Sequence, residues 1–402
     1  MHICLLVGSF AVYTMAVIEP EPLQQVDRTF VYSRGRKLSY FAGCDYFRLA
    51  SHPEVLGALS AGLKRYGWNV AASRMTTGNH FLYQALEMQL AGFFEAEAAL
   101  LVPSGYVTNL AVAQTLTGQF SHVLIDERAH PSLWDAAKAF DTPVLSFRHR
   151  SPTALAAVVE RCGPAASLVV LTDGMFSHDG SVAPLKEYTA ALPSDATLLV
   201  DDAHAAGVIG LNGQGSLEYS NLSHRRVIQT ITLSKAMGSY GGAILCSAVL
   251  RRKIIAKSHL FVGSTPLPLP IVSATLQALT ILRREKTLRS KLTQHTAYVR
   301  GGLKDRGLFI PETPGPIVAA KPKNSAATVK IQRALLKAAI YPSFISYPNA
   351  PATGYFRFVI SSEHTNSQLK NLVDALADSA DLLRRLDFEH EQTRETEQRN
   401  RI

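Results

Sequence analysis

Cysteine is scarce in this chain of 402 residues, with only Cys4, Cys44, Cys162 and Cys246, and none stands in CxxC spacing or beside a metal-ligand pattern. That argues against a disulfide framework or a thiolate metal centre and suits free thiols in a reducing compartment, so a cytoplasmic location is expected. Long apolar runs are also lacking. The opening "MHICLLVGSFAVYTMAV" is apolar but short for a membrane span, has no Lys or Arg before it and no small-residue cleavage site after it. No membrane span is expected there, and an upstream start codon with Met15 as the true beginning explains the segment at least as well as a signal peptide. Basic modules are missing too: the net charge of +9 comes from dispersed residues and short clusters such as Arg225-Arg226 and Arg251-Arg252-Lys253, without interleaved aromatics. No nucleic-acid partner is expected; a solvated basic face or an anionic substrate accounts for the charge. No repeat or low-complexity segment occurs.

What the chain does have is 47% hydrophobic residues, arranged as short apolar runs that alternate with helix-length amphipathic segments. Seven runs, "AALLVP", "HVLIDE", "PVLSF", "SLVVLTD", "TLLVDD", "VIQTITL" and "GAILCS", predict an α/β fold whose mostly parallel sheet is flanked by helices on both faces. In such sheets chemistry gathers beyond the carboxyl ends of the strands. The suggestive groups follow the runs: Ser104-Gly105, Asp126 to His130, Asp173 to Ser177, Asp201 to His204, and Thr232 to Lys235. The expected organisation is an N-terminal segment 1–40, a large domain 41–290, a smaller C-terminal α/β domain 291–386 built around "YFRFVIS", and a charged tail 387–402.

The lysine of "TITLSKAMGSYGG" poses the chemical question. A P-loop places its glycines before the lysine, whereas here they follow Lys235; "MGSYGG" lacks the GxGxxG spacing, GxSxG is absent, and His130, His178 and His204 are not in HExxH order. No metal site is expected. A lysine that forms a Schiff base with an aldehyde cofactor explains more of the pattern, because that chemistry needs a carboxylate at a pyridine nitrogen, which Asp201 at the end of "TLLVD" could supply. Each residue has a plainer alternative: Asp201 beside Asp202 as a helix cap, His130 before Pro131 as a loop residue, Thr232 as an ordinary strand threonine.

"DDAHAAGVIG" followed by "TLSKAMGSYGG", with 34 positions from Asp201 to Lys235, resembles the α-oxoamine synthase family of fold-type-I pyridoxal-phosphate enzymes. The resemblance covers roughly residues 40 to 385. It implies pyridoxal 5'-phosphate as cofactor, with Lys235 as the lysine that carries it and Asp201 as partner of the pyridine nitrogen. It further implies His204 at the ring oxygen with Ser177 of "TDGMFSHDG" nearby, and His130 of "DERAHPSLWDAA" stacked on the ring. Gly105 and Tyr106 of "VPSGYVTN" and Thr232 would hold the phosphate. Ser264 and Thr265 of "GSTPLP" would reach the phosphate of a neighbouring subunit, hence a homodimer with shared sites. Arg357 of "YFRFVIS" would bind the carboxylate of an amino-acid substrate.

The reaction implied is condensation of an amino acid with an acyl-CoA or acyl-carrier-protein thioester, with loss of carbon dioxide, to give an α-aminoketone. Members of the 8-amino-7-oxononanoate synthase type are nearest, which would make the substrates L-alanine and a pimeloyl thioester. Glycine- and serine-using members, secondary-metabolite members and an aminotransferase are the alternatives. "CDYFRL" departs from the family's Asn-Asp-Tyr-Leu-Gly-Leu segment, with Cys44 for Asn and Arg48 for Gly, in a region that lies close to the substrate carboxylate in the family.

Overall fold

The protein is described here from a computed structural model covering residues 21–346 and 354–384. The apolar opening with Met1 and Met15, and the tail 387–402, lie outside the described residues.

All seven apolar runs are strands of one sheet. After an antiparallel meander of β1 (Gln24–Gln25), β2 (Phe30–Ser33) and β3 (Arg36–Ser39), the chain forms β4 (Ala98–Val102), β5 (His122–Asp126), β6 (Val144–Phe147) and β7 (Leu168–Asp173). Then come β8 (Thr197–Asp201), β9 (Val227–Thr232) and β10 (Gly242–Cys246). The order across the sheet is β4-β10-β9-β8-β7-β5-β6. Only β10 runs against its neighbours, pairing antiparallel with β4 and β9, while β9, β8, β7, β5 and β6 are mutually parallel.

Every residue of β7 and of β9 is buried, as expected of strands with helices over both faces. Side chains sort by parity. Leu100, Val102, Ile125 and Ile244 join helices Gly105–Leu116, Pro131–Ala139 and Ala248–Lys257 on one face. Ala99, Leu101, Ile231 and Leu245 face the helices Phe81–Phe93 and Leu269–Arg284 on the other. Each leucine fully buried there contributes roughly 2 kcal/mol.

A third, antiparallel sheet contains β11 (Ile317–Ala320), β12 (Phe344–Ile345) and β13 (Tyr355–Val359), with β13 central. The first meander leads onto it, since Ser39 N–H donates to Ala339 O at 2.8 Å and Val359 N–H to Phe41 O at 2.7 Å. One apolar cluster runs from Leu86 and Leu101 through Leu279 to Phe356 and Leu372, so the C-terminal sheet is set against the body that carries Lys235.

Candidate active site

The carboxyl ends of β7, β8 and β9 and the N-termini of two helices bring most of the candidate residues together. Asp201 ends β8 and is buried. Its Oδ2 accepts from Asn109 Nδ2 at 2.7 Å and from the Ser132 hydroxyl at 3.4 Å, and its Oδ1 accepts from Ala203 N–H at 3.1 Å. The Asn109 amide cannot turn round without loss, because its Oδ1 accepts the Thr230 hydroxyl at 2.7 Å. A buried carboxylate with donors fixed on both oxygens is held in one orientation as an acceptor.

His130 caps helix Pro131–Ala139: its Nδ1 accepts from Ser132 N–H at 3.2 Å, and its own N–H donates to Asp173 Oδ2 at 2.8 Å. Burial lowers its pKa, against the pull of Asp201, so the ring is neutral near pH 7. Asp173 pairs in register with Asp201. Burial first, and the Asp201 charge second, push Asp173 well above the carboxylate range.

His204 follows Asp201 by three residues, is buried, and has its Nδ1 2.7 Å from the Tyr46 hydroxyl. Burial holds its pKa well below the ordinary value, and the positive groups Lys235 and Arg357 act in the same direction. Lys235 leaves β9 in a tight turn in which Gly238 N–H returns to Lys235 O at 2.9 Å and Ser239 N–H to Leu233 O at 2.9 Å. Gly238 has φ 56°, and a Cβ there would stand 2.2 Å from Ala50 N; only glycine fits. The ammonium pKa of Lys235 is lowered by burial, opposed by Cys44, Asp201 and Asp173. A lysine shifted this way delivers a neutral amine more readily than an exposed one.

Gly105 opens helix Gly105–Leu116, capped by the Ser104 hydroxyl, which accepts from Val107 N–H at 3.4 Å. A Cβ on Gly105 would meet Thr232 Cβ at 2.7 Å and its Oγ1 at 2.9 Å. The first turn of this helix, with unpaired backbone N–H groups, is thus pressed onto the Thr232 hydroxyl, an arrangement suited to an anion such as a phosphate. Tyr106 follows with its ring edge-on to His130 at 6.1 Å and its hydroxyl donating to Asp135.

Arg357 of β13 reaches over from the third sheet, donating to Ser177 O at 3.3 Å, and its charge is felt at Lys235 and His204. Ser264 and Thr265 instead line a small crevice with Arg74, Tyr83 and Pro103, and the Ser264 hydroxyl donates to Leu260 O. The hydrogen bonds described for them do not reach Lys235. The "CDYFRL" segment meets the site through Cys44 and Tyr46. Arg48 sits in the left-handed region at φ 53°, a conformation that costs a non-glycine residue roughly 1 kcal/mol, with its guanidinium donating to Tyr40 O at 3.0 Å.

Sequence reasoning named Asp173 as the start of a strand-end stretch but gave it no role, and did not single out Asn109, Ser132 and Tyr46. Asn109 was findable in principle, one helical turn after Gly105 on the same face. Tyr46 lies in the "CDYFRL" segment already singled out, but its pairing with His204, 158 positions away, left no local signal. Among the described residues no cluster of three or more His, Cys, Asp or Glu could hold a metal ion, and no helix is long and apolar enough to cross a membrane.

The family model for aminotransferase class I and II matches residues 54–376. The chain is 36% identical over 345 residues to the 8-amino-7-oxononanoate synthase of Thioalkalivibrio sulfidiphilus, covering 85% of this chain and 88% of that protein. A serine palmitoyltransferase variant from S. paucimobilis, solved with a pyridoxal phosphate–myriocin adduct bound, superposes with a TM-score of 0.84 at 26% identity over 89% of this chain and 90% of that one. The 8-amino-7-oxononanoate synthase of Francisella tularensis shares the fold, with a TM-score of 0.75 at 24% identity over 86% of this chain and 98% of that one.

Proposed function

The chain belongs to the aminotransferase class I and II family and, within it, to the α-oxoamine synthases, and from that premise we propose that it condenses L-alanine with a pimeloyl thioester, with decarboxylation, to an α-aminoketone. It is a pyridoxal-phosphate-dependent acyltransferase. The observation that carries the assignment of the site is the convergence of Lys235, the amide-anchored Asp201 and the Gly105–Thr232 cradle on one sheet edge.

When bound, pyridoxal phosphate supplies an aldehyde for amines and a ring that accepts the electron pair released at a substrate's Cα. The chain's own residues do the rest. Backbone N–H groups of Gly105 and Tyr106, with the Thr232 hydroxyl, bind the phosphate. Asp201, fixed by Asn109, would keep a proton at the ring nitrogen; His130 would lie against the ring, and His204 with Ser177 would hold the ring oxygen. Lys235 would hold the cofactor, and its amine, kept neutral more readily by burial, would be the base for the Cα proton. Arg357 orients the amino acid by a two-pronged grip on its carboxylate.

The active unit in this reading is a cytoplasmic homodimer, in which Ser264 and Thr265 of one protomer complete the phosphate site of the other. The large domain 41–290 carries the cofactor and the smaller 291–386 brings Arg357. Cys44 and Arg48 sit where they would influence which amino acid is taken.

The structural similarity to serine palmitoyltransferase favours a second reading, a member using serine or glycine. Thiol release from pimeloyl-CoA, palmitoyl-CoA and acetyl-CoA, measured with L-alanine, glycine and L-serine in turn, separates the two. Release with L-alanine and pimeloyl-CoA alone is expected. Amino-group transfer to a keto acid without thiol release would contradict both readings.

A further inference from the structure

The hydrogen bond between the Tyr46 hydroxyl and His204 Nδ1 is 2.7 Å long and joins two side chains that are both buried. A phenol and a neutral imidazole can share such a bond in two ways, and only one gives both the phenol proton and the neighbouring thiol proton a good acceptor. Besides His204 Nδ1, the group against the hydroxyl is the Cys44 thiol, and sulfur is a weak acceptor. If Nδ1 donated to the phenol oxygen, the single phenol proton would have to turn to that sulfur. If the phenol donates, Nδ1 accepts with its lone pair, the thiol can donate to the phenol oxygen, and the imidazole proton is left on Nε2. His204 Nε2 makes no hydrogen bond among the described residues and is not among the buried atoms that lack a partner, so it opens into the space of the site.

We propose that Tyr46 is a positioning residue that locks His204 in the tautomer with its proton on Nε2, so that the imidazole nitrogen left for the site is a donor and not a lone pair. The consequence rests on the role given above to His204 at the cofactor's ring oxygen: a fixed donor there favours the anionic form of that oxygen, whereas a free imidazole would offer a lone pair part of the time. The arrangement holds across neutral pH, because burial keeps Tyr46 protonated and His204 uncharged. Of the charged and titratable groups facing His204, Lys235 and Arg357 disfavour a second proton on it, while burial keeps its other neighbours, His130 and His178, from protonating at neutral pH. The backbone of Tyr46 is held from the C-terminal region, with Ser362 N–H donating to Tyr46 O at 3.0 Å, and its own segment is tied locally by Asp45, whose carboxylate accepts from Leu49 and Ala50 N–H.

The direct test is nitrogen NMR of the full chain labelled with 15N-histidine, without cofactor, with the His204 signals assigned by their loss in His204→Asn. An Nδ1 of acceptor type and a protonated Nε2 are expected in the wild type, and a mixture of the two tautomers in Tyr46→Phe. A protonated Nδ1 in the wild type overturns the proposal. The second test uses the enzyme reconstituted with pyridoxal phosphate. Tyr46→Phe should move the pH profile of the cofactor's absorbance by about one unit and weaken cofactor retention on the order of fivefold, the size of one neutral hydrogen bond. The double variant with His204→Asn should show no shift beyond that of His204→Asn alone. If Tyr46 merely fills space, Tyr46→Phe lowers thermal stability while the pH profile stays in place, and the proposal fails. A wild type that does not take up pyridoxal phosphate would sink the functional reading instead, with the tautomer still decided by the first test.

Discussion

Asp201 and Asp202 are neighbours in sequence and opposites in the structure. Asp201 turns to the side where Asn109, Ser132 and the Lys235 turn converge. Asp202 turns to the other face, where its Oδ2 accepts from Ser216 N–H at 2.9 Å and from Gln229 Nε2 at 2.6 Å. The adjacent strand repeats the division: Gln229 serves Asp202, and Thr230 braces Asn109 for Asp201. Alternation along a strand thus separates a carboxylate that meets the chemistry from one that ties down the Gln214–Ser216 stretch. Gly215, at φ 89°, belongs to that tie, since a Cβ there would lie 2.0 Å from Asp202 Oδ2.

The contrast is broken most forcefully at Asp201. Asp201→Asn should cut kcat by about 10³-fold, in line with the loss of a central electrostatic partner, while the thermal midpoint moves little. Steady-state kinetics on the reconstituted enzyme reads this.

Asp202→Asn should do the reverse, leaving kcat within about threefold, the range of a substitution outside the reacting groups, and changing how stability depends on pH. Burial raises the folded pKa of Asp202 from 3.8 to about 6, so between those values the folded chain keeps a proton that the unfolded chain gives up. Stability therefore falls as pH rises through that window and levels off above it, by an amount on the order of 2–3 kcal/mol. Denaturant titrations at several pH values should show this slope in the wild type and its loss in Asp202→Asn.

Asn109→Ala sharpens the comparison without touching either carboxylate. It removes the 2.7 Å donor to Asp201 and leaves the Thr230 hydroxyl only its longer bond to Val200 O at 3.3 Å. A loss of about tenfold in kcat/KM is expected, one charged hydrogen bond's worth. Gln229→Ala should lower stability and leave kcat/KM unchanged. The smallest effect belongs to the helix that presents Asn109: Ser104→Ala removes its cap and should cost about 1 kcal/mol of stability in a denaturant titration.

The sheet was legible because each of its strands is a short, nearly continuous apolar run between turn residues, and all seven runs are strands. The strand-end candidates were legible for the same reason, since the last polar residue of a buried strand has to emerge at the sheet edge. Parity also separated Asp201 from Asp202 in principle, although local sequence fits a helix cap equally well. Partners supplied from afar were not legible. Asn109 reaches Asp201 across 92 positions and Tyr46 reaches His204 across 158, and only the packed structure brings them together. Arg48 shows the converse: its left-handed backbone is what a glycine at that position would supply without strain, which local pattern alone does not reveal.

The most direct measurement of the central claim is the exchange of the Cα proton of L-alanine in D₂O, catalysed by the reconstituted wild type, Asp201→Asn, Asp202→Asn and Lys235→Ala. The account predicts exchange at similar rates in the wild type and Asp202→Asn and its loss in Asp201→Asn and Lys235→Ala. Exchange that survives in Asp201→Asn, or disappears in Asp202→Asn while that variant remains folded, would contradict it.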